Sequence, residues 1–434
     1  MTVPNFSRRF PAGFLICLAC ALPISGQVSS GSLLGDVRDE KDAAIAGVTV
    51  VARNNDTGFS RTATTNAYGS YRIDDLLPGG YTVTGQHDSF QLATVSPVFV
   101  EVNQKARLDF EMRVGSARET VTVTARTSPL QTDDASEGYL LGSSFFEALP
   151  LIGRNIIDLV TLGPGAVPRQ LGGFTHDIIN DLQGNRGAVA FNAPVNGARS
   201  TQNSYILDGA DDTDRNVFAV ALVPPMETVA EFRIQSALAP AEFAQSGGAV
   251  VDIATKSGSQ ALHGNLFEFF RNEATDANGF FAVAGLPRAI FRQNQYGATL
   301  SGPLAHSTYF FASYEGLRSK SASPTQHLVP DAEVRSGDFS GGSTIFNPLT
   351  LTPAGTRAPF PNNTIPASLI DPSVAKYLAE FEPLPNAALS GGDDYVDSTP
   401  NRDHSDNGSL RLDHAWSESS RLFARYSIND ERTV

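Results

Sequence analysis

The chain has almost no cysteine: of 434 residues only Cys17 and Cys20 carry a thiol, both near the N-terminus. Beyond them there is no disulfide framework and no thiolate chemistry on which to build a site. Long apolar runs are also missing. No stretch approaches the ~18 apolar residues that mark a membrane-spanning helix. Basic charge is short as well, with 32 Lys and Arg against 46 Asp and Glu, a net charge of −14. Nucleic acid is therefore excluded as a partner, because binding it needs clustered Lys and Arg. The seven histidines are scattered singly. No HExxH helix, P-loop, dinucleotide fingerprint or GxSxG elbow is present. Without a catalytic constellation the sequence does not read as an enzyme, and it calls for no cofactor and no metal. His263, beside Gly264, reads as a turn residue.

What the chain does have begins with a leader. Arg8 and Arg9 precede the apolar run Phe14–Leu22 and a small-residue stretch, the pattern of a signal peptide over residues 1–26. Ala19-Cys20-Ala21 and Ser25-Gly26 are alternative cleavage sites. The arginine pair also fits twin-arginine export, although the rest of that pattern is missing. A lipoprotein reading of Cys20 is weak, because Cys17 stands three residues before it. Loss of Arg8 and Arg9 takes the net charge from −14 to −16. The length suggests two to four domains. The 38 glycines and 26 prolines suit many short strands and turns.

The last 170 or so residues alternate strictly. In 409–416, Leu410, Leu412, His414 and Trp416 alternate with Ser409, Arg411, Asp413 and Ala415. In 421–429, Leu422, Ala424, Tyr426 and Ile428 alternate with Arg421, Phe423, Arg425, Ser427 and Asn429. Strands of roughly ten residues with one apolar and one polar face are the repeating unit of outer-membrane barrels. Five are expected, over 264–271, 292–302, 308–318, 406–414 and 421–429. The intervals between them run long, short, long, short, as outside loops and periplasmic turns do. The longest, 319–405, is rich in Pro, Ser and Gly and holds a predicted helix near 373–380. Trp416, Tyr309 and Tyr426 are candidates for an aromatic girdle. Five strands do not close a barrel, since the smallest have about eight, so the expectation is the front part of something larger.

Residues 29–114 read as a small β-sandwich, with strands over 32–38, 48–54, 70–74, 81–85 and 107–113 and turn signals between them. The ordered runs Gly35-Asp36-Val37, Ala46–Val50, Thr57-Gly58, Tyr68–Tyr71 and Leu77–Val83 resemble the carboxypeptidase regulatory-like domain. That resemblance implies a prealbumin-like, carbohydrate-binding-like fold, without catalytic activity and without establishing sugar binding. Residues 115–138 read as a linker, and residues 139–258 as mixed α/β, with helices over 143–149 and 154–162 and strands over 204–207, 231–235 and 249–255. Here Asn196-Gly197-Ala198-Arg199-Ser200, Tyr205–Gly209, Glu231–Ile234, Gly248–Val251, Thr255–Ser259, His263–Asn272 and Asn294–Gly297 follow in order. The series is similar to the Oar-like group of TonB-dependent receptors, over the whole chain beyond the leader.

The resemblance implies a mainly β protein: sandwich, mixed α/β plug domain (139–258), then the first about five strands of an outer-membrane β-barrel (259–434). It implies an outer-membrane location with the N-terminal domain in the periplasm. Its partners would be TonB with its inner-membrane complex, an unknown extracellular ligand and outer-membrane lipid. The extended Thr/Val segment Glu119, Thr120, Val121, Thr122, Val123, Thr124, Ala125 is the candidate TonB box, since such a segment can add a strand to another protein's sheet. Its bland alternative is a segment that simply ends the sandwich or links two domains. Asn196, Gly197, Arg199, Ser200, Asp208 and Gly209 form the plug motif. The acidic run from Asp208 to Asp214 reads as a tight turn, with calcium as the alternative. An EF-hand count from Asp212 fails where Val217 and Val223 replace Gly and Glu. Arg199 and Arg271 are expected to form the charge pairs that hold plug to barrel. The functional expectation is ligand uptake energised through the TonB box. The alternative is a non-transporting outer-membrane binding or structural protein whose sandwich recognises a glycan or partner.

Overall fold

The computed structural model describes residues 29–115, 120–122 and 137–433, apart from 150, 152–153, 168–192, 217, 240–242, 244–245, 278–285, 352, 354, 390–391 and 418–419. The predicted signal peptide, most of the linker, and Glu119, Val123, Thr124 and Ala125 of the candidate box lie outside the described residues. The protein is mainly β.

The N-terminal sandwich is built from β1 (Gly31–Asp39), β2 (Thr49–Asn54), β3 (Ser60–Thr64), β4 (Ser70–Leu76), β5 (Gly79–Gln86), β6 (Leu92–Val100), β7 (Lys105–Arg107), β8 (Phe110–Met112) and β9 (Thr120–Thr122). One sheet runs β4-β1-β7 with β8 also on β1, and the other runs β3-β2-β5-β6-β9. Alternate residues of each strand face inward, so Leu33, Val37, Val50, Ala52, Tyr71, Val83, Val98 and Phe110 form one core. The expected strand over 107–113 is two strands, each parallel to β1. Gly35 is required there: a Cβ on it would lie 1.9 Å from the Leu108 carbonyl oxygen.

The middle region is the expected mixed α/β domain. It contains β10 (Glu137–Gly142), α1 (Ser143–Glu147), β11 (Ser204–Leu207), β12 (Ala210–Asp211), β13 (Thr213–Asp214), β14 (Ala219–Val220), β15 (Val229–Ala237) and β16 (Val250–Thr255). Its main sheet is ordered β10-β15-β16-β11-β12, with β11 parallel to β16. The predicted helix at 154–162 is a 3-10 helix over Ile156–Leu162, capped by the Asn155 side chain. Its Ile156, Ile157, Leu159 and Val160 pack against Phe232, Val251 and Ile253 of the sheet.

The remaining strands are β17 (His263–Asn272), β18 (Ile290–Ala305), β19 (Thr308–Ala322), β20 (Thr325–His327), β21 (Tyr395–Asp397), β22 (Asn401–Ser417) and β23 (Ser420–Thr433). β17-β18-β19-β22-β23 form one open sheet in that order, while β20 and β21 pair inside the long connection. Its faces are inverted relative to a water-soluble sheet. On β22 and β23, Leu410, Leu412, Trp416, Leu422, Tyr426 and Ile428 are exposed, whereas Arg411 and Asp413 are buried. A sheet that turns apolar side chains outward and charges inward suits lipid outside and polar partners inside.

Contacts divide the chain into two compact units, residues 1–265 with 298–314 and 407–428, and residues 266–297 with 315–406 and 429–434. In the second, α2 (Ala332–Ser336) and α3 (Pro372–Phe381) order the long connection. Arg335 donates to the carbonyls of Pro330, Leu378, Glu382 and Pro383.

Candidate functional site

The first unit contains a buried charge cluster. β11 ends at Leu207, and Asp208-Gly209 turns the chain back into β12, pairing Leu207 with Ala210. Asp208 has φ 51° and Gly209 φ 85°, the two positive values that a tight hairpin of the type I′ class demands. The tight-turn expectation for these two residues matches that geometry. The Asp208 side chain is buried, at 6% exposure. Its Oδ1 accepts the Thr255 N–H at 2.8 Å, and its Oδ2 accepts the Thr255 hydroxyl at 2.8 Å.

Two arginines from the open sheet complete the cluster. Arg411 of β22, only 4% exposed, donates Nη1 to Asp208 Oδ1 at 3.1 Å and to the Thr255 carbonyl at 3.2 Å. Its Nε and Nη2 fork onto Asp413 at 3.0 and 2.9 Å, and its guanidinium lies 4.7 Å from the Phe423 ring centre. Arg425 of β23 places Nε 2.9 Å from Asp208 Oδ2, but its N–H is not aimed at that oxygen, so the contact is an ion pair without a hydrogen bond. Two carboxylates therefore face two guanidinium groups, and the charges balance. A cavity of about 50 Å³ beside Asp208, Thr255 and Arg411 leaves room for water. Asp212 sits beside this group; burial pushes its carboxyl up to about 7, against the opposing pull of the Leu222 N–H and Arg425.

A second polar contact joins the sandwich to the middle sheet. Ser29 Oγ donates to Asp252 Oδ1 at 2.9 Å, and the Asn103 amide donates to Asp252 Oδ2. The Val102 N–H reaches Glu231 Oε2 at 2.7 Å, while Arg233 Nη1 donates to the Val102 carbonyl at 2.9 Å. Burial pushes both carboxyls up to about 7.

The plug-motif residues do not converge on one point. Asn196 and Gly197, at φ 52° and 76°, form a turn in which the Asn196 amide donates to the Ser236 carbonyl. Arg199 is exposed, and Ser200 opens a short 3-10 turn over Ser200–Gln202. The charge pairs expected of Arg199 and Arg271 are not what the structure holds. Among the described residues Arg199 makes no ion pair, and Arg271 lies 4.6 Å from the Phe291 ring centre. The ion pairs run instead from Asp208 to Arg411 and Arg425. Of the three girdle candidates, Trp416 and Tyr426 are exposed, but the Tyr309 hydroxyl donates to the Thr57 carbonyl. Of the candidate box, Thr120, Val121 and Thr122 form β9, parallel to Leu92, Ala93 and Thr94 of β6.

Comparison with known proteins agrees with this layout. Residues 32–113 match the carboxypeptidase regulatory-like domain family and residues 254–434 the outer membrane beta barrel domain family. The two matches thus fall on the sandwich and on the segment that holds the open sheet. The chain is similar to the TonB-dependent transporter Oar of Myxococcus xanthus, 26% identical over 308 residues that cover 66% of this chain and 26% of Oar. The chain thus spans about a quarter of that relative's length. Among solved structures it resembles the outer membrane transporter YddB from Escherichia coli, at 12% identity and a TM-score of 0.40, over 68% of this chain and 33% of that one. It also resembles the ferric enterobactin receptor PfeA from Pseudomonas aeruginosa, at 13% identity and a TM-score of 0.38, over 70% of this chain and 34% of that one.

Proposed function

We propose that the protein is an outer-membrane transport or receptor protein of the TonB-dependent kind, or the N-terminal portion of one. Residues 29–114 form its periplasmic sandwich, residues 139–258 a plug, and residues 259–434 the first part of the barrel wall, with 319–405 as an outside loop. TonB engages Glu119–Ala125 and draws on the plug, while an extracellular ligand binds from the other side. The observation that carries this reading is the Asp208 cluster. A middle domain inside a barrel must stay in place yet be able to move, and a buried anion shared by two wall arginines meets both needs. The charges hold in their docked geometry, and the adjoining cavity lets water solvate them once they part. No catalytic step is assigned.

The test is capture of the periplasmic domain of TonB by the full chain purified from outer membranes. Capture is expected with the intact chain and should be lost on deletion of residues 119–125. Equal capture by both forms would refute the assignment of the box, and recovery of the chain in the soluble periplasmic fraction would refute the membrane reading.

A further inference from the structure

Resting on the reading of residues 139–258 as a plug that must move and of the open sheet as the wall, we propose that the sandwich is a lid over the Asp208 cluster. Docked, it keeps those ion pairs out of bulk water, and it must undock before the plug can leave. Ser29, Leu77 and Pro78 of the sandwich line the cavity of about 50 Å³ together with Asp208, Thr255 and Arg411. The sandwich thus supplies one wall of the space that holds the cluster's water.

Two sets of contacts hold the lid. On the middle domain, Ser29 and Asn103 donate to Asp252, and the Val102 backbone is bonded to Glu231 and Arg233. On the sheet, the Tyr309 hydroxyl donates to the Thr57 carbonyl at 2.7 Å, and Arg421 Nη2 donates to the Asp75 carbonyl at 3.1 Å. The Arg421 guanidinium also lies 5.0 Å from the Phe59 ring centre, a favourable cation–ring contact. Just before β17, the Gln260 N–H donates to the Asp56 carbonyl at 3.0 Å. Tyr309 and Arg421 open β19 and β23 soon after β18 ends at Ala305 and β22 at Ser417, so these contacts lie at the short-turn end of the sheet. Opposite charges attract far more strongly in a water-poor interior than in water, and exposed ion pairs contribute little. With the lid on, Asp208 and Arg411 are buried and hold plug to wall. With it off, the cavity joins bulk water, which solvates both groups and eases their parting.

A removable staple tests this. Asp56 and Gln260 are exposed and joined by a backbone hydrogen bond. Asp56→Cys with Gln260→Cys therefore places two thiols within the Cα separation of up to about 7 Å that a disulfide spans. The Thr255 amide is bonded to Asp208, so its hydrogen exchange in the full chain purified from outer membranes reports on the cluster. Arg421→Ala and Tyr309→Phe each remove a lid contact and should speed that exchange about tenfold, the worth of one hydrogen bond. Exchange at Val50 in the sandwich core should stay unchanged. Oxidising the staple in either variant should restore the parental rate at Thr255. Failure of the disulfide to form would overturn the docking. A Thr255 rate that neither variant raises, or that the staple does not bring back, would overturn the lid. Recovery of the chain in the soluble periplasmic fraction would instead sink the wall reading, whatever the exchange does.

Discussion

Asp208 is where the account is most exposed to measurement. Asp208→Ala removes a carboxylate that two arginines and the N–H and hydroxyl of Thr255 use, and leaves Arg411 buried at 4% exposure with only Asp413 to balance it. Removing one partner of a buried ion pair costs about 3–5 kcal/mol. Asp208→Asn separates charge from shape: asparagine tolerates the φ of 51° and still offers an oxygen to the Thr255 N–H. It should cost about 1.5–3 kcal/mol, the worth of hydrogen bonds to a charged group. With a urea slope of about 2 kcal/mol per molar, the alanine variant should lose about 1.5–2.5 M in midpoint and the asparagine variant about half that. Trp416, the single tryptophan, lies on the same strand as Arg411, so its fluorescence can follow the transition. An asparagine variant within 0.2 M of the parent would refute the claim that charge holds this contact.

Other outcomes follow from the same geometry. The raised carboxyls of Glu231 and Asp252 bind protons more tightly folded than unfolded. Their effect on stability is therefore neutral below about pH 4 and increasingly unfavourable from there to about pH 7. Hydrogen exchange at Val102 and Asn103 should accelerate across that window, and Asp252→Asn should flatten the rise; a rate independent of pH after correction for intrinsic exchange would contradict this. Gly35→Ala drives a Cβ into the Leu108 carbonyl and should destabilise the sandwich by about 1–3 kcal/mol in urea unfolding. Arg335→Ala releases the carbonyls that tie α2 to α3, so limited proteolysis should cut within 319–405 faster than in the parent while the sandwich is cut at an unchanged rate.

Much of the fold was legible because period-two alternation survives in single strands. The five expected barrel strands agree with β17, β18, β19, β22 and β23, which extend beyond the expected ends. Ser204–Leu207 matched outright, and the predicted helix near 373–380 is α3, Pro372–Phe381. Other strands left no such trace, β3, β6 and β10 among them. β3 (Ser60–Thr64) is too polar, β6 carries Pro97 inside it, and β10 (Glu137–Gly142) has two glycines and no alternation. The 154–162 segment has helical spacing, yet it closes as a 3-10 helix that ends at Leu162, before Gly163.

The site was harder to read. Asp208-Gly209 has the sequence of a turn, and nothing local says that its carboxylate is buried, because Arg411 and Arg425 lie some 200 residues on. The available signal was the inward face of β22 and β23. Charges at Arg411, Asp413 and Arg425 alternate there with exposed apolar residues, so they need partners on the opposite face. Arg199 makes no ion pair among the described residues, and its motif forms an exposed turn.

The most direct test of the central claim places one cysteine at a time in the chain lacking Cys17 and Cys20 and labels whole cells with a membrane-impermeant thiol reagent. Ser336→Cys in the long connection should label on intact cells. Thr62→Cys in the sandwich should label only after the outer membrane is opened. Labelling of both on intact cells, or of neither until the membrane is opened, would contradict an outer-membrane wall with the sandwich on its periplasmic side.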